Sequence, residues 1–247
     1  MFQNFSENKS GIVQPVILVI GANGGLGSCV CQAALSRRWG VIAMDRYAST
    51  CREAIKNKDK NCRYISVDLS APSSVLLAAE QVKADFRCLD GIVNCAGIVL
   101  GRDDTLESLN MDDMRKSMEI NVYGPMELIR QLLPLIRRSP SAGIINISSS
   151  AAVILGTREI DYPYAVSKCA LNMFTEKLRV FLEKAGVRVA AIHPGWMKTA
   201  MGGEDAQVEP SEVAEYLLDV LCGKQLVTAV PAFVNRFGKP VLNRNEI

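Results

Sequence analysis

Tyr164 and Lys168 stand four residues apart in the segment YAVSK, and Ser149 lies fifteen residues before the tyrosine, in INISSS at 145–150. On a helix, positions four apart share one face, so the phenol and the ammonium can serve one site. A serine at the end of an apolar strand can point its hydroxyl into the same place. A phenol is ordinarily a poor base near neutral pH, because its reference pKa is about 10. A neighbouring ammonium stabilises the phenolate and makes the pair a proton-transfer group usable in mild solution. Such a group moves a proton to or from the oxygen of an alcohol or a carbonyl. The pair alone is weak, since Tyr and Lys at this spacing also arise by chance on surface helices.

The elements around it must supply the rest. Residues 16–20 read VILVI, and GANGGLG follows at 21–27, leading into a helical pattern with Leu26, Val30 and Ala34 on one stripe. Strand, glycine turn and helix in that order form the context that a dinucleotide-binding glycine motif requires. Gly21, Gly25 and Gly27 permit a tight turn and close approach to a pyrophosphate, and the helix start adds free amides and a positive dipole end. Asn23 and Leu26 belong to the same candidate cradle; a plain strand-to-helix turn is the structural alternative. Asp45 closes VIAM at 41–44, where an acid can accept hydrogen bonds from ribose hydroxyls and repel a 2′-phosphate, which favours NAD over NADP. Arg46 keeps NADP open, since a guanidinium can compensate a phosphate. Asp68 ends RYISV at 63–67 and, with Leu69, is a candidate adenine contact. As an isolated residue, Asp68 reads first as a helix cap or turn.

Apolar runs at 16–20, 41–44, 63–67, 91–94, 143–147, 187–192 and 228–234 alternate with helical patterns at 25–38, 50–57, 72–84, 112–136, 163–184 and 210–222. This alternation predicts an α/β fold: a doubly wound parallel sheet of Rossmann type, layered α/β/α. No linker or repeat divides the 247 residues, which are read as one domain. A net charge of +2 with scattered basic residues indicates no nucleic-acid surface. No apolar stretch reaches membrane-spanning length, and Glu7 and Lys9 do not fit a signal peptide. The eight cysteines lack zinc-site spacing; Cys29, Cys31 and Cys169 fall within helical patterns as small buried thiols, and a reducing cytosol fits them. His193 is the only histidine, which leaves no multi-histidine metal site or histidine triad. Beside Pro194, it reads as structural, or at most as a contact with the cofactor pocket.

GANGGLG, NCAG at 94–97, EINVYG at 119–124, NISS at 146–149, YAVSK and HPGWMKT at 193–199 follow one another in family order. The chain resembles the short-chain dehydrogenases/reductases from the glycine turn to the final strand. The resemblance implies NAD(P)-dependent interconversion of a carbonyl and an alcohol on a small substrate, by hydride transfer and without a metal. It makes Tyr164 the acid/base. Lys168 would lower the tyrosine pKa and bond the nicotinamide ribose. Ser149 would polarise the substrate oxygen, with Ser148 and Ser150 as near neighbours. Asn121 would hold a water linking Lys168 to solvent; a polar interruption of a structural helix is the alternative. Asn94, Ala96 and Gly97 would flank the adenosine and ribose, and Pro194 and Gly195 the nicotinamide. Thr199 would meet the carboxamide or pyrophosphate, with Met197 beside it.

Tyr162 lacks a lysine in register, because residue 166 is Val. The Ser149–Tyr164 interval is longer than in many relatives, so the AAVILGTREID loop is expected to be enlarged. A short lid is expected near 196–210, with Trp196, Met197, Met201, Val153 and Leu155 as apolar walls or packing residues. Lys198 can meet an acidic substrate, but as a lone exposed lysine it reads first as surface. The resemblance also implies a homodimer or homotetramer through helices 112–136 and 163–184. A non-catalytic dinucleotide-binding regulator is the alternative from another class, and an epimerase or dehydratase ranks below it for want of a larger C-terminal region.

Overall fold

The computed structural model describes residues 14–55 and 60–244. The expectations placed on Glu7, Lys9 and residues 56–57 lie outside the described residues. Seven strands form one sheet: β1 Val16–Ile20, β2 Gly40–Asp45, β3 Cys62–Ser66, β4 Gly91–Asn94, β5 Gly143–Ile147, β6 Arg188–His193 and β7 Phe233–Asn235. Their spatial order is β3-β2-β1-β4-β5-β6-β7, and every pairing is parallel. The chain moves outward from β1 to β3, returns to β4 beside β1, and proceeds the other way. This is the doubly wound fold expected from the sequence, and such sheets bind ligands at the strand ends where the order reverses. Here that place lies beyond Ile20 and Asn94, which are paired in register.

Side chains alternate across a strand, so each strand feeds two cores. On one face, Leu18, Ile20 and Ile92 pack against α3 (Pro72–Asp85), α5 (Gly124–Ile136) and α6 (Tyr162–Leu182) through Val82, Leu128, Leu132 and Leu182. On the other, Ile17, Val19 and Val93 meet α1 (Gly25–Ser36) and α7 (Pro210–Leu221) through Val30, Ala34, Val213 and Leu217. Burial on both faces explains why β1 and β5 read as unbroken apolar runs. Each such Leu or Val contributes roughly 1.5–3 kcal/mol relative to exposure. The short α2 spans Ala48–Ala54. Among the described residues, no helix is long and apolar enough to cross a membrane.

Two expected elements differ. The helix expected over 112–136 begins at Met111 and divides into α4 (Met111–Met118), one turn of π-helix (Glu119–Tyr123) and α5. The wider turn carries Asn121, whose buried carboxamide bonds both backbone groups of Ile98, with Ile98 N at 2.8 Å and Ile98 O at 3.0 Å. The strand expected over 228–234 is confined to Phe233–Asn235, because Pro231 has no N–H to give a ladder. Beyond β7 the chain turns back: Val241 N donates to Phe233 O and Arg244 N to Leu155 O, both within about 3.1 Å. The tail thus reaches the loop between β5 and α6.

Gly124 sits where α5 crosses the end of β3, and a Cβ there would lie 2.3 Å from the Leu69 carbonyl oxygen. Backbone cannot yield as a flexible side chain can, so Gly124→Ala should lose roughly 1–3 kcal/mol of stability by overpacking. Thermal unfolding should show a Tm several degrees lower; an unchanged Tm would mean that α5 slides freely over Leu69.

Candidate active site

A cleft of about 890 Å³ opens at the carboxyl ends of β1, β4, β5 and β6. The glycine turn forms one wall. Gly21 has φ +81°, and a Cβ on it would stand 2.7 Å from Ala96 N; a Cβ on Gly27 would stand 2.1 Å from Gly21 O. Only glycine permits this closure. α1 starts with Gly24 as its N-cap, has no acidic side chain in its first turn, and points its unpaired amides at the cleft mouth. Gly25 faces Thr199 across the mouth, its virtual Cβ lying 2.6 Å from Thr199 Cγ2. Bare backbone and a positive helix end, with the Thr199 side chain alongside, have the chemistry to hold a pyrophosphate. At its edge the Asp45 carboxylate accepts from Asn23 N (3.1 Å) and Arg46 N (2.7 Å).

The catalytic candidates meet on the opposite wall. Ser149 caps a short 3₁₀ turn, Ser150–Ala152, and its Oγ accepts from Ala151 N at 3.1 Å. The Tyr164 phenol faces the same hydroxyl, which acts to lower its pKa. Tyr164 lies in the first turn of α6 and Lys168 one turn on; Lys168 Nζ is 5.7 Å from the Tyr164 ring centre and donates to Ile147 O at 2.8 Å. Lys168 is buried, and burial lowers its pKa to about 8. The Tyr164 pKa is raised above its ordinary value. Burial first raises it; the Ser149 hydroxyl opposes this, Asp161 adds to it, and the Arg102 guanidinium opposes it. The Lys168 ammonium stands beside the same ring and gives one of its three protons to the Ile147 carbonyl.

Gly25, Leu26, Gly27, Ala96, Gly97, Ser149, Tyr164, Lys168, Pro194, Gly195, Met197 and Thr199 all line this cleft. Gly21 shapes it from behind. Asp45, Arg46, Asp68 and Leu69 stand beyond its rim, at the ends of β2 and β3. Asp68 Oδ1 is held by Ser70 N (2.9 Å) and Ser70 Oγ (2.6 Å), in the local turn that the sequence suggested. Asn94 and Asn121 are fully buried and line nothing. The Asn94 carboxamide bonds Asn146 (3.0 Å) and Ala96 N (3.2 Å), and Asn121 also donates to Ser167 Oγ (2.9 Å). Both brace the walls from within. Of the neighbouring serines, Ser148 has a buried hydroxyl without a hydrogen-bond partner. Tyr162, one turn before Val166, is not among the cleft residues.

Residues 196–208 fold back on themselves. Lys198 N donates to Val208 O, Val208 N to Trp196 O, and Trp196 Nε1 to Gly202 O at 2.7 Å. Lys198 is ion-paired with Glu209. Several cleft residues went unread in the sequence: Arg102, Arg158, Asp161, Arg236 and Arg244. They come from two separate loops and the tail, so no single spacing connects them. The one local signal is the i,i+3 pair Arg158–Asp161, at 2.7 Å.

Residues 15–209 match the short chain dehydrogenase family. The chain is 30% identical over 198 residues to estradiol 17-beta-dehydrogenase 2 of Rattus norvegicus, covering 78% of this chain and spanning about half, 51%, of the rat enzyme. Among solved structures it resembles the carbonyl reductase Sniffer of D. melanogaster (TM-score 0.83, 25% identity, 93% of this chain and 99% of that one). It is similar also to the NADPH-bound carbonyl reductase from chicken fatty liver (TM-score 0.81, 29% identity, 93% and 99%).

His193 behaves as a structural residue at the cleft wall. Its Nδ1 accepts from Ser150 N at 3.2 Å, which requires the neutral ring. Burial, then Arg236 and Arg244, lower its pKa from 6.5 to about 4. The unfolded chain binds this proton more readily, so stability is full above pH 6.5 and is lost as pH falls through about 4. Denaturant titrations from pH 7 to 4 should show this loss, and His193→Gln should reduce it. An identical acid limb in the variant would assign the loss to carboxylates alone.

Proposed function

The chain belongs to the short chain dehydrogenase family, and from that premise we propose that it is an NAD(P)-dependent oxidoreductase interconverting a carbonyl and an alcohol on a small molecule. The observation that carries this reading is the convergence of Ser149, Tyr164 and Lys168 on one wall of a cleft whose other wall is the glycine cradle. We read the chain as one oxidoreductase domain, with residues 196–210 as a short lid on the substrate side.

Gly25, Leu26 and Gly27 would hold the pyrophosphate, and Ala96, Gly97 and Thr199 let the dinucleotide pass close to backbone. Gly195 and Met197 would flank the nicotinamide. The dinucleotide, when bound, supplies or accepts the hydride. The remaining chemistry belongs to the chain. Ser149 donates a hydrogen bond to the substrate oxygen and fixes it beside Tyr164. Tyr164 gives its proton to that oxygen in reduction and takes it back in oxidation. Its elevated pKa keeps the proton donor loaded at neutral pH. Lys168 lies within the same wall, with its ammonium close to the phenol and its pKa near 8, able to bond a ribose hydroxyl and to exchange a proton. Ser149 and Tyr164 together aim donors at the oxygen on which charge develops.

Asp45 at the end of β2 supports a preference for NAD, because its carboxylate disfavours a 2′-phosphate. A homo-oligomer is also proposed. On α6, Val166, Met173 and Val180 are exposed at seven-residue intervals, with Phe181 beside them, and Tyr123 and Met126 are exposed at the start of α5. A stripe of this kind on two long helices suits a second copy of the chain. The cysteines support a reducing, cytoplasmic setting; none forms a disulfide among the described residues, and the thiols of Cys51 and Cys95 are pushed up to about 12 by burial.

Following nicotinamide fluorescence, NADH should bind at least about tenfold more tightly than NADPH, a difference of about 1.4 kcal/mol; the reverse order would mean that Arg46 outweighs Asp45. Tyr164→Phe should keep that dinucleotide affinity and lose at least about 100-fold in turnover of an aldehyde panel. Near-normal turnover in Tyr164→Phe would remove the phenol from the chemistry.

A further inference from the structure

The substrate side of the cleft carries more positive charge than its own residues balance. Arg102, Arg158, Arg236 and Arg244 all line it, with Lys168 at its base, against a single carboxylate, Asp161. The four arginines lie away from the glycine cradle: Arg102 follows β4, Arg158 precedes α6, and Arg236 and Arg244 belong to the tail after β7. Asp161 does not neutralise them. Arg158 takes Asp161 Oδ2 at 2.7 Å, while Arg244 Nη2 stands 3.7 Å from the same oxygen, beyond hydrogen-bond distance. Arg244 Nη1 is buried without a hydrogen-bond partner. Arg236 pairs with no carboxylate among the described residues; its guanidinium lies over the Phe237 ring at 4.3 Å. Arg102 gives one bond, to Met201 O at 2.9 Å.

A guanidinium nitrogen buried without a partner, as Arg244 Nη1 is, costs free energy unless a ligand completes it, and the planar fork suits two oxygens of a carboxylate or phosphate. Arg244 and Arg236 both lie close enough to His193 to act on it, and His193 holds Ser150 N, the residue after Ser149. The arginines therefore surround the end of the cleft next to the catalytic serine.

We propose that the substrate carries an anionic group, a carboxylate or a phosphate, which Arg236 and Arg244 hold while the reacting carbonyl rests on Ser149 and Tyr164. The proposal rests on the oxidoreductase reading for the reacting carbonyl; the anion subsite itself is testable without turnover. It sets this chain apart from a site built for an uncharged apolar substrate, whose walls gain nothing from four guanidinium groups. Asp161, with φ +57° in a non-glycine residue at the head of α6, joins this subsite to the catalytic helix.

The test has two arms. In the first, Trp196, which lines the cleft, reports equilibrium binding of benzoate, phenyl phosphate and neutral benzamide to the NADH-loaded protein. At least one anion should bind about tenfold or more tightly than benzamide. The stronger of the two identifies the carboxylate or the phosphate. Arg236→Gln and Arg244→Gln should each erase most of that margin. Arg244→Gln alone could act by loosening Asp161, and Arg236→Gln separates the two effects because Arg236 does not touch that carboxylate. Equal binding of anions and benzamide overturns the proposal. So does a margin that survives both substitutions.

In the second arm, 4-carboxybenzaldehyde and its methyl ester are compared as substrates with NADH and NADPH. The acid should have the higher kcat/KM through a lower KM, and the margin should shrink in both variants. Anion-selective binding without turnover of either aldehyde would leave the subsite standing and overturn the oxidoreductase reading instead. Turnover of both aldehydes at equal kcat/KM would do the opposite.

Discussion

A buried chain of hydrogen bonds ties the working parts of this protein together. It runs from Ala96 N to Asn94, from Asn94 to Asn146, from Asn146 to Thr175, and from the Thr175 hydroxyl to Leu171 O, each link between 2.7 and 3.2 Å. The three side chains are essentially inaccessible to water. Breaking one link would leave a buried polar group unsatisfied, at a cost of about 1–3 kcal/mol. The chain crosses β4, β5 and α6. Apolar packing sets how close a helix lies to a sheet but tolerates sliding and rotation; directional bonds do not. Thr175 and Lys168 are seven residues apart, two turns on one face of α6. Lys168 makes a second polar contact with β5 through Ile147 O. Two fixed points on one helix leave little freedom of rotation, and the direction of Tyr164 follows.

The parts legible in the sequence were those in which local pattern and tertiary role coincide. VILVI is unbroken because β1 is covered on both faces, and GANGGLG is glycine-rich because Gly21 and Gly27 meet backbone at distances that no side chain allows. The four-residue interval of Tyr164 and Lys168 has one meaning on a helix. Elsewhere a residue was legible but its manner of working was not. Asn94 and Asn121 read as site residues, yet both support the walls from inside. The π turn at Glu119–Tyr123 was hidden because an apolar helical pattern continues through it; its cause lies at Ile98, far away in sequence. The effect of Arg102 on Tyr164 and the charge shared by Arg158, Asp161 and Arg244 depend on loops brought together only by the completed sheet.

The cleft is built from two kinds of material. Its centre stands on strands and on the long α6, whose positions follow from sheet register and buried polar bonds. Its substrate side consists of loop and tail, each held by a few local bonds, such as those between Trp196 and Gly202 or between Arg244 N and Leu155 O. A rigid centre keeps the reacting groups aligned, and adjustable edges set what is admitted. Charge follows the same division: carboxylates lie at the ends of β2 and β3, guanidinium groups around the opposite end.

The path of the tail has a consequence for how the cleft is held. The glycine turn and α6 are mounted on the sheet, whereas residues 236–244 follow its last strand and return to it. Arg236 and Arg244 belong to this returning segment, and Asn243 bridges back to Leu155 in the loop before α6. The cleft is thus closed like a clasp, its frame on the sheet and its catch at Leu155.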